Sequence, residues 1–250
     1  MMAKKTVVVT GALSGIGFDC ARSFAREGYN VVISGRDARR GQHRLNELRN
    51  VTDDVVFFTT DVTSEEQVAQ LMQAAVITYG SVDVVIHSAG TEGNPANLED
   101  VSTQDFQQVF DTNVLSTILV MKYAIPIMRG QRSGVIVNIA SQAGLGGMPG
   151  KMVYAASKSA VISLTRSAAL EVAVSGIRIN AVAPGPVATD MFDRFTGRDA
   201  TAKRDFLDMF PTKRVIEVGE VTAALLYLAS DSARSVVGEV LTIDGGYSAS

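Results

Sequence analysis

The chain has 250 residues, of which 46% are hydrophobic and 20% charged, and its net charge is −3. This composition describes a globular protein with an ample core, and so small a charge gives no electrostatic basis for binding nucleic acid or an anionic membrane surface. No apolar run is long enough to span a bilayer, and the single cysteine, Cys20, excludes an internal disulfide and reads as core.

Short β-branched runs alternate with longer helical patterns. Thr6–Thr10 predicts a strand, Ile16–Glu27 a helix and Asn30–Ser34 a second strand followed by a basic helix that Asp37 could cap. Val55–Thr59 is a strand, 64–79 a helix capped by Ser64, Val82–His87 a strand, and 104–128 a long helix whose last turn Pro126 should disturb. Val135–Ala140, Ile177–Val182 and Val240–Ile243 complete the strands; 153–174 and 220–230 complete the helices. Near-continuous apolar strands imply burial on both faces, and the alternation implies right-handed βαβ crossovers. The expected fold class is α/β: one Rossmann-type domain over residues 1–250, a doubly wound parallel sheet of about seven strands with helices on both faces. Two segments break the regularity. Residues 91–101 form a polar loop, and 184–214 form a long connection rich in Phe and Met, read as a substrate lid over about 186–214.

Several chemistries find no support. The only histidines, His43 and His87, have no ligand spacing, so no metal is expected. No Gly-x-Ser-x-Gly elbow is present. Residues 1–5 lead into Val7-Val8-Val9, a run too short for a signal-peptide core, so a cytoplasmic location is expected.

Two patterns carry chemistry. Gly11-Ala-Leu-Ser14-Gly15-Ile16-Gly17 lies between the first strand and first helix, where glycines let backbone approach a pyrophosphate and the helix N-terminus offers free N–H groups. Tyr154-Ala-Ala-Ser-Lys158 places a phenol and an ammonium at i and i+4, on one face of a helix. A neighbouring cation favours the phenolate, so the pair is expected to lower the tyrosine pKa and move a proton to or from a substrate oxygen. The helix that carries them has apolar residues spread round it, from Val161 and Ile162 to Leu170, which predicts that a second subunit covers it; the expected assembly is a homotetramer, with a homodimer as the alternative.

Taken in order, these motifs resemble the short-chain dehydrogenase/reductase family along essentially the whole chain. The glycine loop matches its dinucleotide loop. Asp61-Val62 matches its adenine-pocket pair, and His87-Ser88-Ala89-Gly90 stands where the family usually has Asn-Asn-Ala-Gly. Asn113 sits at its mid-helix asparagine, Ser141 thirteen residues before Tyr154, and Pro184, Gly185, Val187 and Thr189 follow the sixth strand where the family contacts nicotinamide. The resemblance implies hydride exchange between a nicotinamide cofactor and a ketone or secondary alcohol. Tyr154 would be the acid/base, Ser141 would hold the substrate oxygen, Lys158 would bond the cofactor ribose, and Asn113 would hold a water through a disturbance of its helix. His87 is read as a hydrogen-bonded structural histidine in preference to a titrating one.

Gly35 stands where an acidic residue would select NAD(H), and Arg36 suits a 2′-phosphate, so NADP(H) is favoured and NAD(H) is the alternative. Gln142, Leu145, Met148 and Phe192, beside Ser141 and Tyr154, predict a mostly apolar substrate cleft, with Glu92 and Asn94 at its rim. No cation is aimed at a substrate carboxylate, so a neutral small to medium carbonyl compound is expected. The alternative is a 3-oxoacyl carrier-protein reductase, with Arg129 and Arg132 as part of a docking patch. A non-catalytic dinucleotide sensor on the same fold would have no need of Ser141, Tyr154 and Lys158 together.

Overall fold

In the computed structural model, which describes residues 4–249, the strands are β1 (Thr6–Thr10), β2 (Asn30–Gly35), β3 (Val55–Thr59), β4 (Val84–His87), β5 (Gly134–Ile139), β6 (Ile177–Pro184) and β7 (Val240–Ile243). The helices are α1 (Gly15–Arg26), α2 (Ala38–Arg49), α3 (Glu65–Tyr79), α4 (Thr103–Phe110), α5 (Ser116–Gln131), α6 (Met152–Val172), α7 (Asp190–Phe195), α8 (Ala200–Asp208) and α9 (Val218–Ala229). All seven strands join one parallel sheet in the order β3-β2-β1-β4-β5-β6-β7.

The two-residue period of a strand explains the layers. Val7 and Val9 point into a core shared with α1, α2 and α9, whereas Val8 points into a second core shared with α3, α5 and α6. All three are fully buried; each such side chain contributes about 1.5–3 kcal/mol relative to exposure. Cys20 lies in the first core, where burial pushes its thiol pKa up and leaves it an inert apolar group. Ser64 and Asp37 cap α3 and α2, accepting from the Gln67 and Arg40 amides.

Some boundaries differ from the sequence reading. β4 starts at Val84, two residues later than the apolar run suggests. The expected helix over 104–128 is α4 and α5 joined by a single π-helical turn at Asp111–Leu115, and α5 continues five residues past Pro126. The proline lies on the exposed side of α5, so its missing N–H leaves the Lys122 carbonyl on the water side and not in the core. The 184–214 connection contains α7 and α8, whose Phe192, Phe195 and Phe206 build a small aromatic core with Phe210 from the chain just after α8, neighbouring ring centroids lying 5.2–5.8 Å apart.

β1 has β2 on one side and β4 on the other, so the crossovers reverse direction at this point. The chain ends that leave these strands diverge and open a crevice at the carboxyl edge of the sheet, where an open α/β sheet places its ligands.

Candidate active site

A cleft of about 410 Å³ occupies that crevice. At one end, Gly11 adopts φ +64°, and a Cβ there would lie 2.6 Å from the Ala89 nitrogen. Only glycine lets this loop lie against the backbone leaving β4. Gly17 does not line the cleft; a Cβ on it would meet the Gly11 carbonyl at 2.4 Å, so its absence lets α1 close on the loop. Ser14, the N-cap of α1, makes no capping bond with its side chain. The first N–H groups of a twelve-residue helix therefore remain available to an anion. Gly15, Ile16, Asp61, Val62, Ala89, Gly90, Pro184, Gly185, Val187 and Thr189 line the same cavity. This long trough with an uncapped helix end and a glycine cradle fits a dinucleotide.

Arg36 and Arg40 line the wall beyond β2. Arg40 stands 3.6 Å from Asp190 at the start of α7, bridging the mouth from α2 to α7. The Asp37 carboxylate accepts from the Arg40 amide as helix cap. Gly35 is bare for a packing reason: a Cβ would lie 2.6 Å from the Leu13 side chain.

Ser141, Tyr154 and Lys158 meet in the middle of the cleft. Ser141 lies two residues past the end of β5, and its hydroxyl oxygen accepts from the Ala143 amide. Tyr154 and Lys158 come from the first two turns of α6. The Lys158 ammonium lies 5.8 Å from the Tyr154 ring centre and donates to the Ile139 carbonyl at 2.8 Å. Burial, with no carboxylate partner, pulls the Lys158 pKa down to about 8. The Tyr154 pKa moves opposite to the sequence expectation. Burial raises it, a hydrogen bond with Ser141 lowers it, and the Glu92 charge raises it further. In this state the phenol is held protonated, which suits a proton donor.

Asn113 lies behind the cleft, buried in the π-turn. Its Oδ1 accepts from the Thr91 amide at 2.8 Å, and its Nδ2 donates to the Thr91 carbonyl and to Ser157 Oγ, both at 2.9 Å. A Cβ on Gly90 would be 3.3 Å from Asn113 Oδ1 and 3.4 Å from Lys158 Nζ, so the bare glycine gives both side chains room beside the loop.

At the far end Gln142, Met148 and Phe192 line the cavity, joined by Met191, Phe195 and Phe206 from α7 and α8. Two expected residues do not. Leu145 follows a tight 3₁₀ turn and points out to solvent, and the Asn94 side chain is held by Asp105 at 2.9 Å away from the cleft. Glu92 does line it, and Arg194 of α7 grips its carboxylate through Nε at 2.8 Å and Nη2 at 3.3 Å. The sequence reading found no cation here; the pair spans 102 residues and leaves no local signal. It fastens α7 to the loop after β4 and gives the wall a neutral ion pair.

Similarity to known proteins extends over the whole chain. A family model described as enoyl-(acyl carrier protein) reductase matches residues 11–248. The cis-4-hydroxycyclohexanecarboxylate dehydrogenase of Sinomonas cyclohexanicum is 38% identical over 99% of this chain and 98% of that protein. A 3-oxoacyl-(acyl-carrier-protein) reductase of Chlamydia muridarum is 36% identical over 98% of each. Among solved structures, levodione reductase superposes with a TM-score of 0.96 at 32% identity over 100% of both chains. The protein ElxO with NADP bound does so with a TM-score of 0.93 at 35% identity, over 99% of this chain and 100% of that one.

Proposed function

The chain belongs to the short-chain dehydrogenase/reductase family, a group of oxidoreductases acting on CH–OH and C=O, and on that premise we propose that it is a ketoreductase that uses NADPH to reduce a neutral, small to medium carbonyl compound. One observation carries this reading: Ser141, Tyr154 and Lys158 open into the same cleft as the uncapped N-terminus of α1, so a protonated phenol and an anion-binding helix end share one cavity. When bound, the nicotinamide cofactor supplies a hydride to the carbonyl carbon. The chain's own residues then do four things. Ser141 holds the substrate oxygen, Tyr154 donates a proton to it, Lys158 holds the ribose hydroxyls, and the Met148, Phe192 and Phe195 wall excludes water from the reacting carbon. The Glu92–Arg194 pair leaves no net charge on that wall, which supports a neutral substrate.

The test is NADPH oxidation against a panel of neutral ketones and diketones, with consumption expected only when ketone is present. Gly35 and Arg36 support the 2′-phosphate, so NADPH should bind more tightly than NADH. Gly35→Asp should weaken NADPH relative to NADH by at least about tenfold, since a carboxylate there faces a like charge. Unchanged relative affinities would remove Arg36 and its surroundings from the cofactor choice.

A second reading, 3-oxoacyl carrier-protein reduction, is favoured by the relatives of that name. Arg129 and Arg132 do not assist it: they lie at the end of α5 beside the start of β5, whereas the cleft is at the carboxyl end of that strand. Saturation by an acyl carrier protein with no turnover of free ketones would select this reading.

The homotetramer is also proposed. Leu170, in the last turn of α6, is 78% exposed and Val174, just beyond it, 96%, with Phe106, Leu115 and Ile118 exposed on the adjoining α4–α5 segment. The rest of the outer α6 face is small or polar, as at Ser159, Ser163, Arg166 and Ser167, and Val161 and Ile162 are buried in the chain's own core. Light scattering should give the mass of four chains; a monomer at micromolar concentration would contradict it. Among the described residues no helix is long and apolar enough to cross a membrane.

A further inference from the structure

His87 stands at the end of β4, and the structure gives its imidazole ring two partners in a connected set of bonds. Nδ1 lies 2.7 Å from Thr10 Oγ1, at the root of the glycine loop. Nε2 lies 2.9 Å from Ser116 Oγ, in the first residue of α5. All three side chains are buried.

The proton positions follow from the partners. In a regular helix the Ser116 amide would bond the Thr112 carbonyl; in the π-turn it bonds the Asp111 carbonyl instead. The Thr112 carbonyl accepts the Ser116 hydroxyl. That hydroxyl has one proton and has spent it, so Ser116 Oγ can only accept from the ring. Nε2 therefore carries the hydrogen, and Nδ1 accepts from the Thr10 hydroxyl. Burial, then the Lys158 charge, pushes the His87 pKa down to about 3, consistent with a neutral ring.

We propose that His87 is a positioning residue: as the neutral Nε2–H tautomer it aims the Ser116 hydroxyl at the Thr112 carbonyl, and so braces the π-turn that presents Asn113 to the site and Thr112 to the cleft wall. The chain Thr10–His87–Ser116–Thr112 ties the glycine loop, the end of β4 and the π-turn into one unit. Relaxation of the turn to a regular helix would rotate Asn113 away from the Thr91 backbone and from Ser157.

This inference rests on the role in turnover that the family resemblance implies for Asn113, but its test has readouts that need no substrate. The amide of Asn reaches about where Nδ1 stands, and that of Gln about where Nε2 stands. His87→Asn should keep the Thr10 contact and lose Ser116. It is expected to lower kcat about tenfold, to leave the Kd for NADPH within about twofold, and to speed hydrogen exchange of the Thr91 amide, which bonds Asn113 Oδ1. His87→Gln should rescue both kcat and Thr91 protection. In the unsubstituted protein, nitrogen NMR of the ring should show the Nε2–H tautomer from pH 5 to 9. Full kcat and Thr91 protection in His87→Asn, equal losses in both variants, or an Nδ1–H ring would each overturn the proposal. If no carbonyl compound is reduced at all, the functional reading fails, and ring tautomer and Thr91 exchange still decide this one.

Discussion

Tyr154→Phe is expected to lower kcat for ketone reduction by about 10²–10⁴-fold, the usual contribution of a placed general acid, while leaving the Kd for NADPH within about twofold. The variant removes one oxygen atom and nothing else. The ring keeps its place in the first turn of α6, the Lys158 ammonium keeps its bond to the Ile139 carbonyl, and the glycine loop is untouched. What disappears is a cleft hydroxyl that combines a bond to Ser141 with a raised pKa. Ser141 cannot take over, because an aliphatic hydroxyl is a far weaker acid. Steady-state kinetics and cofactor titration check both halves; a kcat within about threefold of the unsubstituted protein would remove Tyr154 from the chemistry.

Lys158→Met is expected to abolish most turnover and to stabilise the fold. The buried ammonium has its pKa lowered from 10.5 to about 8. Its charge therefore opposes folding at pH 7 by about 3 kcal/mol. The sign follows from proton counts: between the folded and unfolded pKa values the unfolded chain binds more protons, so stability rises as pH climbs from about 8 toward 10.5. Methionine fills the same space without the charge but leaves the Ile139 carbonyl unbonded, so the net gain at pH 7 is about 1–2 kcal/mol. Denaturant unfolding reads it. The same titration is expected to govern cofactor affinity: the Kd for NADPH should rise as pH passes about 8 in the unsubstituted protein, and show no such step in the variant. Destabilisation at pH 7 together with an unchanged pH profile would mean that Lys158 is not a buried cation in this site.

The strand pattern was legible because β1, β2 and β6 are buried on both faces, and only runs such as Val7-Val8-Val9 satisfy that. The glycine loop and the Tyr154–Lys158 spacing were legible because each rests on local geometry, a turn or one helix face. Features that depend on distant chain segments were not. Arg194 grips Glu92 from 102 residues away, and Arg40 meets Asp190 across the cleft mouth; neither pairing leaves a trace in local spacing. Leu145 and Asn94 sit in loops whose direction is set by a 3₁₀ turn and by Asp105. The Tyr154 pKa was misjudged for a related reason. Sequence spacing shows the nearby cation but not the depth of burial, and in the structure burial is the larger effect.

Transfer of deuterium tests the account most directly. The protein is incubated with NADPH carrying deuterium at the transferable C4 position and a neutral ketone, and the alcohol is analysed by mass spectrometry. The account predicts one deuterium on the carbinol carbon, formed by the unsubstituted protein and almost absent with Tyr154→Phe. An alcohol without label, or equal labelled product from both proteins, would contradict it.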